Sequence, residues 1–252
     1  MLAAGISALL IGWAYSTLGV ITMIELLRDR RLRGFSQFGG AFMVMAFTCG
    51  PHHLAHSAHV LFEGHAAPTG LTIITMMGLA PGLTFAALRV EAFAGGRGDR
   101  VVPGNARWVA LAPWLAALTA GAVLGVALTH PAAGHHLSWS GVPSIVLGIN
   151  YGIVGILMVT TQGARRRAEG TWSLSGLSLS WVFVPCALMH ITASATGAID
   201  THMLVIDTIG VPASFWFLWV THRLHHKGMR DWNRRPLVGR ATAPARLSPW
   251  NA

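Results

Sequence analysis

Apolar residues fill the chain in long blocks separated by short polar or basic breaks. The first block is Leu2–Leu26, and the pattern returns over Phe38–Phe62, Leu71–Leu88, Trp108–Thr129, Val142–Thr161, Leu177–Gly197 and Met203–Val220. Each block is close to the roughly 20 residues an α-helix needs to cross the hydrocarbon core of a bilayer. The pattern therefore predicts an all-α integral membrane protein with seven transmembrane helices. The first block has no basic start and is too long for the apolar core of a signal peptide, so it is expected to be a retained first helix. Residues 1–235 read as one seven-helix domain. Residues 236–252, with Pro236, Pro244 and Pro249 among Gly, Ala and Arg, read as a flexible basic C-terminal tail. Pro51, Pro81, Pro113, Pro185 and Pro212 lie in or near the blocks and are expected to kink their helices and open room for a cavity.

Charge fixes the expected orientation. Of the 252 residues 53% are hydrophobic and only 11% charged, against about a quarter charged in a soluble domain. The 18 Lys and Arg residues fall in four clusters: Arg28–Arg33, Arg89–Arg107, Arg165–Arg167 and Arg223–Arg246. With seven spans these clusters share one side, which the positive-inside rule makes cytoplasmic. The N-terminus is then expected outside, the C-terminus cytoplasmic, and the location a multi-pass cell-membrane one. The net charge of +9 is a topology signal of short juxtamembrane clusters, so the bilayer is the expected partner and nucleic acid is not.

The chemistry lies in the histidines, 13 of them beside nine carboxylates. In the run Pro51–His59, His52, His56 and His59 recur at i, i+4 and i+7 and share one helical face. Several imidazoles in an apolar bundle compete for scarce acceptors unless a metal ion satisfies them, and imidazole suits iron, copper and zinc. At about 1.5 Å per residue, His52 and His56 lie roughly 9–15 Å below the outer end of their span, and His190 roughly 10–12 Å below the outer end of the sixth. His202 opens the seventh span and Asp207 follows one to two turns deeper. A carboxylate at that depth is a functional candidate by default, because leaving it unpaired in hydrocarbon costs several kcal/mol. The expected metal ligands are His52, His56, His59, His190 and His202. Asp207 is the expected catalytic group, as acid–base, second ligand type or acceptor for a ligating histidine. His65, His130, His135 and His136 read as solvated loop residues, and Glu63 and Asp200 as helix-end groups.

Two histidine patterns carry a family resemblance. His52-x-x-x-His56 and His222-x-x-His225-His226 resemble the HxxxH and HxxHH boxes of integral-membrane di-iron hydroxylases and desaturases. The resemblance implies iron-dependent oxidation of an apolar or amphiphilic substrate.

Other chemistries find little footing. Lys227 lies outside the last span, where a retinal protein would need its lysine, and Cys49 and Cys186 form no CxxC clip. The expected function is a metal-dependent oxidoreductase, an oxygenase or oxidase, with non-haem iron (one ion or two) or copper held between helices two, six and seven. It would act on a small or lipophilic substrate, with a partner subunit as a further expected component. The alternative is a metal or haem carrier, an assembly factor or a b-type cytochrome, in which two facing histidines such as His56 and His190 would hold a haem.

Overall fold

A computed structural model describes residues 2–32, 34–64, 69–107, 139–196, 199 and 201–228, with scattered positions between 109 and 125. Six long helices are complete: α1 (Leu2–Leu32), α2 (Gln37–Leu61), α3 (Thr69–Phe93), α4 (Val142–Glu169), α5 (Leu174–Thr196) and α6 (Thr201–His226). The described positions between 107 and 125, in the fourth apolar block, are helical too. Two three-residue strands, β1 (Val101–Pro103) and β2 (Thr171–Ser173), pair antiparallel with Val102 opposite Trp172. The C-terminal tail, His65, His130, His135, His136 and Asp200 lie outside the described residues.

Apart from that strand pair, the regular structure among the described residues is helical. Among the described residues five helices are long and apolar enough to cross a membrane, namely α1, α3, α5, α6 and α4 with its leading turn. Their outward faces show why a membrane environment suits them. Ile149, Ile153 and Ile156 form an exposed stripe on α4, and Val205, Ile209, Phe215 and Trp219 form one on α6. The interior meanwhile buries His52, His53, Asn150, His190 and Asp207. Apolar outside and polar inside is the arrangement lipid favours and water does not.

The helices alternate in direction. Arg28 lies over the Phe93 ring, Arg89 pairs with Glu25, and Thr161 Oγ1 meets His225 Nδ1 at 3.0 Å. The C-terminal ends of α1, α3, α4 and α6 therefore share one end of the bundle, here termed the basic end. Arg89, Arg100, Arg165, Arg166 and Arg223 all belong to it. Asp99 helps to tie it together, accepting from Ser173 Oγ at 2.7 Å and from the Ser175 amide at 2.9 Å. At the opposite, histidine end, Ser57 Oγ donates to the Gly5 carbonyl and Ser194 Oγ to that of Gly141.

Several helices run past the apolar blocks that predicted them, chiefly at the basic end. Helix α1 continues to Leu32 rather than Leu26, α4 to Glu169 rather than Thr161, and α6 to His226 rather than Val220. Hydropathy marks where apolar residues stop, whereas i→i−4 hydrogen bonding continues until a terminator is reached. For α4 that terminator is Gly170, left-handed at φ 67°.

The apolar core fills the half nearer the basic end. Phe38, Phe42, Phe85, Phe183 and Phe217 pack ring against ring, with centroids 5.3 Å apart for Phe38–Phe217 and 5.5 Å for Phe183–Phe217. Close helix approach holds the half nearer the histidines. A Cβ on Gly50 of α2 would stand 2.9 Å from the Ser16 backbone nitrogen of α1, and one on Gly148 of α4 would stand 2.9 Å from the Ala187 carbonyl of α5. Only glycine permits these contacts, and both lie close to the site histidines in sequence or across the helix contact.

Candidate metal centre

Three helices bring two imidazoles and a carboxylate together. His52 from α2, His190 from α5 and Asp207 from α6 are all buried, and each offers a ligand atom within 4.8 Å of the others. Asp207 Oδ1 lies 3.0 Å from His52 Nδ1, and Asp207 Oδ2 lies 3.6 Å from His190 Nδ1. The two rings stand 5.0 Å apart, centre to centre. Proline accompanies each group: Pro51 precedes His52, Pro185 lies five residues before His190, and Pro212 lies five after Asp207. Each proline removes a backbone N–H from its helix and loosens the ladder beside the site.

The local hydrogen bonding suits a shared ion. His52 Nδ1 and Asp207 Oδ2 are buried without a hydrogen bond: His52 Nδ1 is within reach of Asp207 Oδ1 but out of line, and Asp207 Oδ2 stands 3.6 Å from His190 Nδ1, too far for one. Hydrogen-bonded partners align, whereas ligands of one ion converge on a point between them. Ligand atoms about 2.1 Å from a common ion at right or tetrahedral angles lie about 3.0–3.4 Å from one another; the His52–Asp207 pair already stands at 3.0 Å, and His190, at 3.6 Å from Asp207, would close in on the ion. Ser144 Oγ lies 2.9 Å from His190 Nδ1, a contact that an ion on that nitrogen would displace. Ser144 stands in the first turn of α4, close to where Ser194 ties that helix to α5.

The other predicted ligands lie elsewhere. His59 and His202 face each other at the histidine end with ring centroids 5.9 Å apart, and His59 Nδ1 meets Glu63 Oε2 at 2.6 Å. Glu63, read from sequence as a helix-end group, is thus a histidine partner. His56 is half-buried on α2 between the two groups. The predicted five-histidine set is therefore divided, with His52 and His190 in one place and His59 and His202 in another. His52, rather than His56, is the residue seated against His190.

At the basic end His222 and His226 approach through their Nε2 atoms at 2.9 Å, and His225 is held by Thr161. Fifteen residues of α6 separate His222 from Asp207, roughly 22 Å of rise. One ion cannot use both groups.

Sequence reading also missed what underlies the centre. The chain has two tyrosines and two cysteines, and they pair off: Tyr15 Oη lies 3.5 Å from Cys186 Sγ, and Tyr151 Oη lies 3.3 Å from Cys49 Sγ. Tyr151 also packs on His190 and Tyr15 on His53, at 5.6 and 5.7 Å. No family model, curated protein or solved structure matches this chain.

Proposed function

We propose that this chain is an integral-membrane, metal-dependent oxidoreductase of the oxygenase or oxidase type, with a single non-haem iron held by His52, His190 and Asp207. The observation that carries the proposal is the convergence of two buried imidazoles and one buried carboxylate, with His52 Nδ1 and Asp207 Oδ2 lacking hydrogen bonds. Two histidines and one carboxylate with open positions are the donor set of non-haem iron oxygenases, and imidazole also suits copper. Bound there, the metal would supply dioxygen activation at the positions the protein leaves open. The residues of the chain supply the rest. Asp207 compensates the ion's charge, and the packed aromatic core excludes water from the basic side.

A haem suits the pair less well. Two axial histidines need an open plane between them for the macrocycle, and here the rings are 5.0 Å apart with a carboxylate against both. For the whole chain we infer seven spans in the cell membrane, N-terminus outside and C-terminus cytoplasmic. The gathering of basic side chains at one end of the bundle supports this orientation.

The test is to purify the protein in detergent, measure its bound metals and record its visible spectrum. Stoichiometric iron without a Soret band is the expected result. A Soret band would replace the reading with a cytochrome, and a protein that binds no transition metal would reduce the centre to a polar cluster.

A further inference from the structure

Beside the buried centre lies a second, smaller compartment. Consecutive residues of a helix point about 100° apart. While His52 turns toward His190 and Asp207, His53 therefore turns toward Tyr15 of α1, with the ring centroids 5.7 Å apart. Met189 precedes His190 on α5 in the same way. Between α1, α2, α3 and α5 these side chains leave a cavity of about 10 Å3, room for one water-sized sphere. His53, Tyr15, Thr75, Cys186 and Met189 line it, all of them buried, and the rest of its wall is apolar.

The polar atoms of this wall are unevenly satisfied. Thr75 Oγ1 donates to the Leu71 carbonyl at 2.8 Å, and the Tyr15 hydroxyl is paired with Cys186 Sγ at 3.5 Å. His53, only 3% exposed, keeps Nδ1 buried without a hydrogen bond. A buried nitrogen left bare costs stability unless something in the cavity meets it. A water is poorly served there, because it needs about two to four polar partners and most of the wall's polar capacity is committed. What the wall offers instead is a soft donor set of one imidazole nitrogen, one thiol sulfur and one thioether sulfur. Cys186 and Met189 are three residues apart on α5 and share a face. Thiolate and thioether ligands select Cu(I), and imidazole suits copper as well. Charge points the same way. Cu+ on the Cys186 thiolate, with neutral His53 and Met189, makes a complex of zero net charge, whereas a divalent ion would leave a positive charge buried in apolar surroundings.

We propose that His53, Cys186 and Met189 form a binding site for one Cu(I) ion, with Tyr15 orienting the Cys186 sulfur. On binding, the Cys186 S–H bond breaks, the sulfur's electron pair forms the copper–sulfur bond, and the proton leaves to solvent; copper stays in the +1 state throughout. The site shares no ligand with His52, His190 and Asp207 and does not rest on their reading as an iron centre. Thr75 follows Thr69, the first residue of α3, by six positions, roughly 9 Å of rise, which makes the histidine end the shorter way in.

The test uses Cu(I) itself. Metal-free full-length protein in detergent is titrated anaerobically with Cu(I), kept reduced by ascorbate, against a chromogenic Cu(I) chelator. The copper K-edge spectrum of the one-equivalent sample then counts the sulfur ligands. One Cu(I) per chain with two sulfurs and one nitrogen is the expected result. Cys186→Ser should leave one sulfur and weaken binding at least about 100-fold, since even loss of a group that only orients a ligand costs about 10–100-fold. Tyr15→Phe should weaken binding by about 10–100-fold with both sulfurs retained. Met189→Leu conserves volume and so keeps the fold, and it should leave one sulfur. Asp207→Asn should change neither the affinity nor the sulfur count. A sulfur-free shell, or a Met189→Leu protein that keeps two sulfurs, overturns the proposal. So does a sulfur shell abolished by Cys49→Ser, which would place the ion on Cys49 and Met45, whose sulfurs lie 3.7 Å apart. Loss of Cu(I) from Asp207→Asn overturns it too, and assigns the ion to the buried centre instead.

Discussion

Replacing Asp207 with Asn removes the charge at the centre and almost nothing else. The side chain is 2% exposed, so water cannot enter to substitute for the lost anion. Asn has nearly the same volume, so the packing of α6 against α2 and α5 is retained. The amide nonetheless turns an N–H2 group toward one of the two imidazoles and leaves a divalent ion with neutral ligands in an apolar bundle. Loss of a group that merely orients a ligand weakens metal binding by about 10–100-fold, so loss of a direct ligand should cost at least about 100-fold, or about 2.8 kcal/mol. Thermal unfolding in detergent reads this directly. At a metal concentration of about 100 times the original Kd, the ion stabilises the folded protein by about 2.7 kcal/mol, and a Kd raised 100-fold reduces that gain to about 0.4 kcal/mol. The metal-dependent rise in Tm should therefore nearly vanish in Asp207→Asn, while the metal-free variant unfolds no earlier than the metal-free original. An Asp207→Asn protein that binds metal within threefold of the original and keeps its Tm rise would show that Asp207 is not a ligand.

Other perturbations follow from the same geometry. Ser144→Ala removes the hydroxyl beside His190 Nδ1 and, in the metal-free protein, should cost about 1–3 kcal/mol of stability through the unsatisfied buried nitrogen; an unchanged Tm of the metal-free protein would mean that the ring is fixed by packing alone. Gly148→Ala drives a methyl against the Ala187 carbonyl and Ile191, and should destabilise the α4–α5 contact by about 1–3 kcal/mol, measurable by denaturation in detergent. Joint replacement of His222, His225 and His226 with Ala should leave tightly bound metal at its original stoichiometry, since roughly 22 Å of helix separates them from Asp207; loss of that metal from a folded protein would contradict the two-ended arrangement. A reporter fused after Ala252 should read as cytoplasmic and one inserted near Gly134 as external, and the reverse result would invert the assigned sidedness.

The helices were legible because lipid imposes one simple demand, an apolar stretch of sufficient length. The apolar blocks locate the six complete helices to within several residues. The errors lie where that demand ends, as at Leu32, Glu169 and His226, where helices continue through basic residues. Strands β1 and β2 gave no signal, since three residues carry no usable period and their pairing depends on how α3 and α4 end. At the site, depth along each helix was readable: residue counts place His52, His190 and Asp207 at comparable levels. Rotation about each helix axis was not. Which of His52, His56 or His59 turns toward α5 depends on how α2 packs against α1 and α6, and hence on contacts such as Gly50 against Ser16. Ser144 escaped notice for the same reason, since a lone serine in the first turn of a helix is commonplace until the neighbouring helix presents a histidine to it. The Tyr15–Cys186 and Tyr151–Cys49 pairs join residues more than 100 positions apart, which no local pattern reports.

The most direct test of the centre is X-ray absorption on the iron-loaded protein, compared with its His190→Ala variant. Ligation by His52, His190 and Asp207 predicts a shell of nitrogen and oxygen only, at about 2.0–2.2 Å, with outer scattering from two imidazoles that falls to one in the variant. A sulfur shell near about 2.3 Å would place the ion on Cys49 or Cys186 instead, and an unchanged imidazole count in His190→Ala would place it away from the buried cluster altogether.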